Sequence, residues 1–201
     1  MKKISIITML CLFVISMIAP TYAEEPIKSQ SAARASTLKP VYNIAIVPYI
    51  NSTEETKGYI QEIIDSKYTK LYSNENFQMV PFVDVQKALN TTGYEASSME
   101  LADKDILAAV AKQTNADYVI AMELSQLVTT RHMSFFQAKV VTKAKLRYKL
   151  YNAEQSKVMS FQVTGSSENK TVFGGVGYKD PITKALNEAM DEANEKIMSN
   201  L

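Results

Sequence analysis

Between Ser134 and Tyr151 the even positions are Phe136, Ala138, Val140, Thr142, Ala144, Leu146, Tyr148 and Leu150. Most of the odd ones are polar: Gln137, Lys139, Lys143, Lys145, Arg147 and Lys149. A period of two held this long predicts a strand with one buried and one wet face. Asn152 to Ser156 reads as a turn. Met159, Phe161 and Val163 then alternate with Ser160, Gln162 and Thr164, so the two arms form a long antiparallel hairpin. Further upstream the pattern changes. Ile44, Ala45, Ile46 and Val47 run together before Pro48, which suits a short strand covered on both faces. Ile60, Ile63, Ile64, Tyr68, Leu71 and Tyr72 recur at helical steps after the polar stretch Asn51 to Thr56.

Phe77 to Pro81 predicts a second short strand, and Asp84 to Leu89 a short helix ended by Asn90-Thr91-Thr92-Gly93. Asp103 is placed to cap a helix bearing Ile106, Leu107 and Val110, and Asn115 to close it in the left-handed conformation. Asp117 to Leu127 follows as a central strand. Beyond Gly174 to Gly177, Asp180 is placed to cap a last helix, with Pro181 in its first turn and the stripe Ile182, Ala185, Leu186, Ala189, Met190, Ala193 and Ile197. Its outer side carries Glu188, Asp191, Glu192 and Glu195. The element order is β-α-β-α-α-β-β-β-α. This predicts an α/β (α+β) fold: a mixed sheet of about five strands, helices mainly on one face, a long C-terminal antiparallel hairpin and a C-terminal helix.

The first residues are of another kind. Lys2-Lys3, an apolar run from Ile4 to Ile18 and Thr21-Tyr22-Ala23 make a signal peptide over residues 1–23, cleaved after Ala23. The apolar run is short for a membrane span of about 20 residues. Cys11 lies inside that run without the small residues that precede a lipid-modified cysteine, so the signal is not that of a lipoprotein. The expected location is therefore extracytoplasmic, periplasmic or secreted, with no transmembrane segment after signal removal. Residues 24–40 are small and polar, a mobile leader, and residues 41–201 form a single domain.

With 46% apolar and 21% charged residues the chain is globular in composition. Beyond residue 23 there are 20 basic and 21 acidic side chains. That balance excludes a general nucleic-acid binder, which needs a concentrated cationic surface. The exported chain has no cysteine and so neither disulfides nor thiol chemistry. His132 is the only histidine, which excludes a histidine-based metal cluster within one chain. It follows Thr129-Thr130-Arg131 in what reads as an exposed polar connection. Gly174 to Asp180 lacks the Gly-x-x-x-x-Gly-Lys-[Ser/Thr] spacing of a phosphate loop and serves better as a connector. No catalytic residue, metal or cofactor is implied.

The cationic row is the more informative feature. Lys139, Lys143, Lys145, Arg147 and Lys149 share one parity and so one face of one strand, alternate residues standing about 7 Å apart. The returning arm offers only Ser160, Gln162 and Thr164 opposite them, with no acid. Such a row is either a solvated face or a docking strip for an acidic protein surface, an anionic envelope polymer or lipid headgroups. Paired with the acidic outer side of the last helix, it would also suit a homo-oligomer. A different class of function, a small-molecule or nucleotide-binding and conceivably hydrolytic domain, would use the crevice at the carboxyl ends of the first and third strands. Tyr49, Asn51, Ser52 and Ser125 would line it.

Four segments together resemble a known group. Ile44-Ala45-Ile46-Val47-Pro48-Tyr49 is similar to the opening strand of the CsgG-like envelope proteins, which include the LpoB activators and, more distantly, the amino-terminal domain of TolB. Phe77 to Pro81 with Val83 to Leu89 resembles their second strand and its helix. Ala111 to Ile120 resembles the segment written A-K-x-L-G-A-D-Y-V-I, with Asn115 in place of glycine. Leu150 to Gly165 resembles their closing hairpin, but with Asn-Ala-Glu-Gln-Ser at the turn. The resemblance implies an exported, non-enzymatic interaction domain that serves envelope assembly or secretion by binding another component.

Overall fold

A computed structural model describes residues 41–95, 99–133, 135, 137–171 and 177–201. The expected signal segment, the leader, Ser134, Phe136 and Gly174 to Val176 lie outside the described residues. The elements are β1 (Tyr42–Ile46), β2 (Ile50–Asn51), α1 (Tyr59–Tyr72), β3 (Phe77–Met79), α2 (Phe82–Thr92) and α3 (Lys104–Thr114). Then come β4 (Tyr118–Met133), β5 (Ala138–Asn152), β6 (Lys157–Thr171) and α4 (Lys179–Met198). The sheet order is β3-β1-β4-β5-β6, with the two-residue β2 also bonded to β4. β1 pairs parallel with β3 and β4, and β4, β5 and β6 are antiparallel. The architecture is the α+β mixed sheet that the alternation predicts, with the correction that the helices lie two on each face and not mainly on one.

Local signals set the ends of the helices. The Asp103 carboxylate accepts from the Ile106 amide at 3.0 Å, and Asn115 closes α3 at φ 52. Gly93 closes α2 at φ 71, a conformation that costs glycine nothing. α4 departs from expectation. It begins at Lys179 with Tyr178 as N-cap, so Asp180 lies in the first turn and not at the cap. A larger difference concerns β4, which runs on to Met133 through Thr129-Thr130-Arg131-His132. These polar residues pair with β5, and His132 is a strand residue opposite Lys139. Both faces of β4 are wet there, so no apolar alternation marks it.

Two apolar clusters lie on opposite sides of the sheet. On one side α1 and α4 cover Ile44, Ile120, Met122, Leu124, Leu146, Tyr148, Leu150 and Val163. On the other α2 and α3 cover Ala45, Val47, Val119, Ala121 and Tyr151. The second layer exists because the β1 run is apolar on both parities and needs cover twice. Over the distal sheet, past Ser125, helical cover is on one face, as the β5 alternation requires. Val140, Thr142 and Ala144 are buried there, while Lys143 is exposed.

α4 sits close on β6. A Cβ at Gly165 would stand 1.9 Å from the Ala185 carbonyl oxygen and 2.6 Å from the Ala189 amide nitrogen. β6 ends the sheet order, and α4 satisfies part of its open edge. The Ser166 amide donates to the Glu188 carboxylate at 2.7 Å, and Lys196 Nζ donates to the Gln162 carbonyl at 3.2 Å. An edge closed this way is a poor template for another strand. Under α1, Tyr68, Tyr72 and Tyr148 are buried, and Tyr148 stacks on Phe161 with ring centroids 5.3 Å apart.

Gly165→Ala should destabilise the fold by about 3 kcal/mol, because helix backbone cannot yield as a side-chain tip would. Gly58→Ala, which meets nothing within 4 Å, should stay within about 0.5 kcal/mol. Urea midpoints compare the two. Burial raises the pKa of the Tyr68, Tyr72 and Tyr148 phenols above the ordinary 10.0. Their contribution to stability is thus complete below pH 10 and falls as rising pH ionises the unfolded chain. Ultraviolet titration should show these phenols ionising only as the fold is lost.

Candidate functional site

The candidate site is the outer face of β5 with the strands bonded to it. Register sets its composition. Opposite Lys149, Arg147, Lys145 and Lys143, β6 places Ser160, Gln162, Thr164 and Ser166. On the other side β4 places Ala121, Glu123, Gln126 and Val128. β4 slips register between Leu124 and Gln126, and the Ser125 hydroxyl at this bulge donates to the Lys145 carbonyl at 3.0 Å. Gln126 and Val128 thereby keep to the outer face beside Lys145 and Lys143.

The five cations do share a face, but the molecule itself uses three of them. Arg147 Nη2 donates to both Glu123 oxygens at 2.6 Å, and the Glu123 side chain is only 3% exposed. Its hydrogen bond to Glu123 raises the pKa of Arg147. Lys149 Nζ donates to the Leu101 and Ala102 carbonyls at 3.0 Å, tying the approach to α3 onto the sheet. Lys139 pairs with Glu168 at 2.5 Å, and Lys170 shares that acid at 2.6 Å. Both cations hold the Glu168 carboxyl below its usual pKa. The expectation that no acid faces the row is therefore corrected. Glu123 comes from the other neighbouring strand and Glu168 from farther along β6, both outside the stretch that sequence places opposite the row. Lys143 and Lys145 have no ion pair or side-chain hydrogen bond among the described residues.

At the inner end of the row, Glu123, Arg147, Lys149, Ser160, Gln162 and Met99 border a cleft of about 660 Å³. Met99 was not among the candidates read from the sequence, because only packing of the segment before α3 brings it to the sheet. It is 62% exposed and held at φ 56, features that residue order does not show.

The crevice residues lie elsewhere. Asn51 is bonded into its own turn: its amide nitrogen donates to the Glu55 carbonyl at 2.7 Å, and its amide oxygen accepts from the Thr53 amide and hydroxyl. The Ser52 amide donates to the Leu124 carbonyl at 3.0 Å, which prolongs the β2 pairing. Tyr49 packs against the larger core, and burial raises the pKa of its phenol. None of these three, nor Ser125, borders the cleft beside Arg147. Among the described residues no group of three His, Cys, Asp or Glu could hold a metal ion, and no helix is long and apolar enough to cross a membrane.

Fold and face together define an α+β domain whose mixed sheet extends past β2 as three strands covered on one face and presenting cations to solvent on the other. No protein-family model matches the sequence, and no curated protein matches it. Solved structures similar to it include lipoprotein GNA1162 from Neisseria meningitidis, with TM-score 0.47, 15% identity, and coverage of 80% of this chain and 99% of that one. The LpoB C-terminal domain from Escherichia coli has TM-score 0.43 and 14% identity, with 66% and 86% covered. The PelC dodecamer from Paraburkholderia phytofirmans has TM-score 0.38 and 14% identity, with 75% and 86% covered. LpoB belongs to the group that the sequence segments resemble, and the likeness is one of architecture.

Arg147→Met would strand a buried carboxylate and should cost about 3 kcal/mol in urea unfolding. Adding Glu123→Leu should restore most of that loss, since the double change removes both charges.

Proposed function

We propose that this chain is an exported, non-enzymatic interaction domain of the cell envelope that docks an acidic partner on the outer face of β5. The observation that carries the reading is the uneven use of cations along one strand. Near the core, Arg147 and Lys149 are consumed by the fold. Farther out, Lys143 and Lys145 stand beside neutral Gln126, Val128, Thr164 and Ser166 with no counter-charge. A fold needs no such pair for its own stability, since adjacent like charges on one face repel. What they supply is a local positive field in a chain of almost balanced charge, which favours association with an acidic surface.

Other features support the reading. The signal-like opening of the sequence sends the chain out of the cytoplasm, where no thiol would be needed for stability. The face is rigid because β5 is bonded on both sides, so docking requires no ordering of the strip itself. The resemblance of four sequence segments to CsgG-like proteins points to the same class of task.

Retention on immobilised polyglutamate tests the proposal. The unmodified chain should bind at low salt and elute as screening shortens the reach of charge to a few ångströms. Lys143→Glu with Lys145→Glu should abolish retention, whereas Lys184→Glu on α4 should leave it unchanged. Equal retention of the double variant would remove these lysines from the function.

A further inference from the structure

We infer that the partner of the basic face is the anionic headgroup surface of a lipid bilayer, and that the β4–β5 tip is its apolar anchor. The inference rests on the docking face proposed above and names what it docks to. Past the pairing of β2 with Glu123 and Leu124, β4 is bonded only to β5. Gln126 to Met133 therefore lies in a three-stranded projection roughly 25 Å long. At its end Met133 is 76% exposed and Phe135 102% exposed. Val128, 45% exposed, stands on the wet face directly opposite Lys143. Large apolar side chains offered to water at the end of a projection mark a surface for something apolar.

The charges around them identify what that is. Among the described residues 126–133, 138–145 and 164–170 there are five cations, Arg131, Lys139, Lys143, Lys145 and Lys170, against one acid, Glu168. Glu168 lies between Lys139 and Lys170, so this group keeps a net positive charge beside the tip. Arg131 stacks on the Tyr178 ring, 5.2 Å from its centroid, and that aromatic side chain is itself 42% exposed. An acidic protein surface would satisfy the lysines but leave Phe135 and Met133 in water. A headgroup layer satisfies both, since its anions meet the cations and the acyl boundary just beneath takes the apolar tips. Val128 shares the wet face with Lys143 and Lys145, while Met133, opposite Ala138, belongs to the other face, so the arm enters end-on with the tip lowest and the wet-face lysines beside the headgroups. The depth is interfacial, because the lysines on that face hold it at headgroup level.

Vesicle binding of the chain in its exported form decides the matter. The chain contains no tryptophan, so Phe135→Trp reports from one place. Its emission should shift to the blue with phosphatidylglycerol–phosphatidylcholine vesicles and stay put with phosphatidylcholine alone. Co-sedimentation should fall at least tenfold for Lys143→Glu with Lys145→Glu, at roughly fivefold per cation lost. It should fall at least fivefold for Met133→Asp with Phe135→Asp. All these positions are exposed or half-exposed, and unchanged urea midpoints confirm intact folding. Equal binding to neutral vesicles, an unshifted tryptophan, or full binding by the Met133–Phe135 variant would each overturn the inference. Retention on polyglutamate without any vesicle binding would overturn it too while leaving the docking face standing. Failure on both supports would bring down the docking face itself.

Discussion

Strand β5 is hydrogen-bonded to a long neighbour on each side over nearly all of its fifteen residues, and that double bonding constrains the rest of the molecule. A strand so placed cannot slip by one residue without turning its apolar set to water and its lysines into the core. Its parity is therefore imposed on β4 and β6, and the face that holds Val140, Ala144, Leu146 and Tyr148 becomes the floor for α4. The contact at Gly165 shows how closely that floor is used, since no Cβ fits between β6 and the helix backbone.

The same constraint decides which charges the molecule keeps for itself. Beside the layer of α2 and α3, buried polar groups on the outer face must find partners or cost solvation. Arg147 meets the buried Glu123, and Lys149 meets two backbone carbonyls at the start of α3. Beyond the reach of those helices the outer face is wet and needs no such partners. Lys143 and Lys145 remain available there because the second helical layer ends where β1 and β2 end. The fold thus uses the cations at both ends of the row, Arg147 and Lys149 near the core and Lys139 near the tip, and leaves Lys143 and Lys145 between them.

The projection beyond β2 carries its own cost. Met133 and Phe135 are exposed, and Tyr178, the N-cap of α4, meets Arg131 near the tip. Apolar side chains held out on a rigid three-stranded arm add nothing to the core. In the proposed role they meet another phase, which links the shape of the sheet to that role.

Much of this was legible from residue order. Period two in β5, the helical stripes of α1 and α4, the cap at Asp103 and the left-handed Asn115 are short-range matters, settled by sterics and by which side of an element must be dry. The shared face of the five cations follows from parity alone. What residue order could not show is which strand lies on the far side of β5, because strand neighbours are chosen by packing of the whole sheet. Glu123 is twenty-four residues from Arg147, and its carboxylate counts as a partner only once β4 is placed beside β5. The run of β4 through Thr129 to His132 was hidden for a related reason: a strand wet on both faces has no apolar period, and only its hydrogen bonds to β5 make it one. Local chemistry determined the elements and their dry sides; tertiary pairing decided which charges were left over.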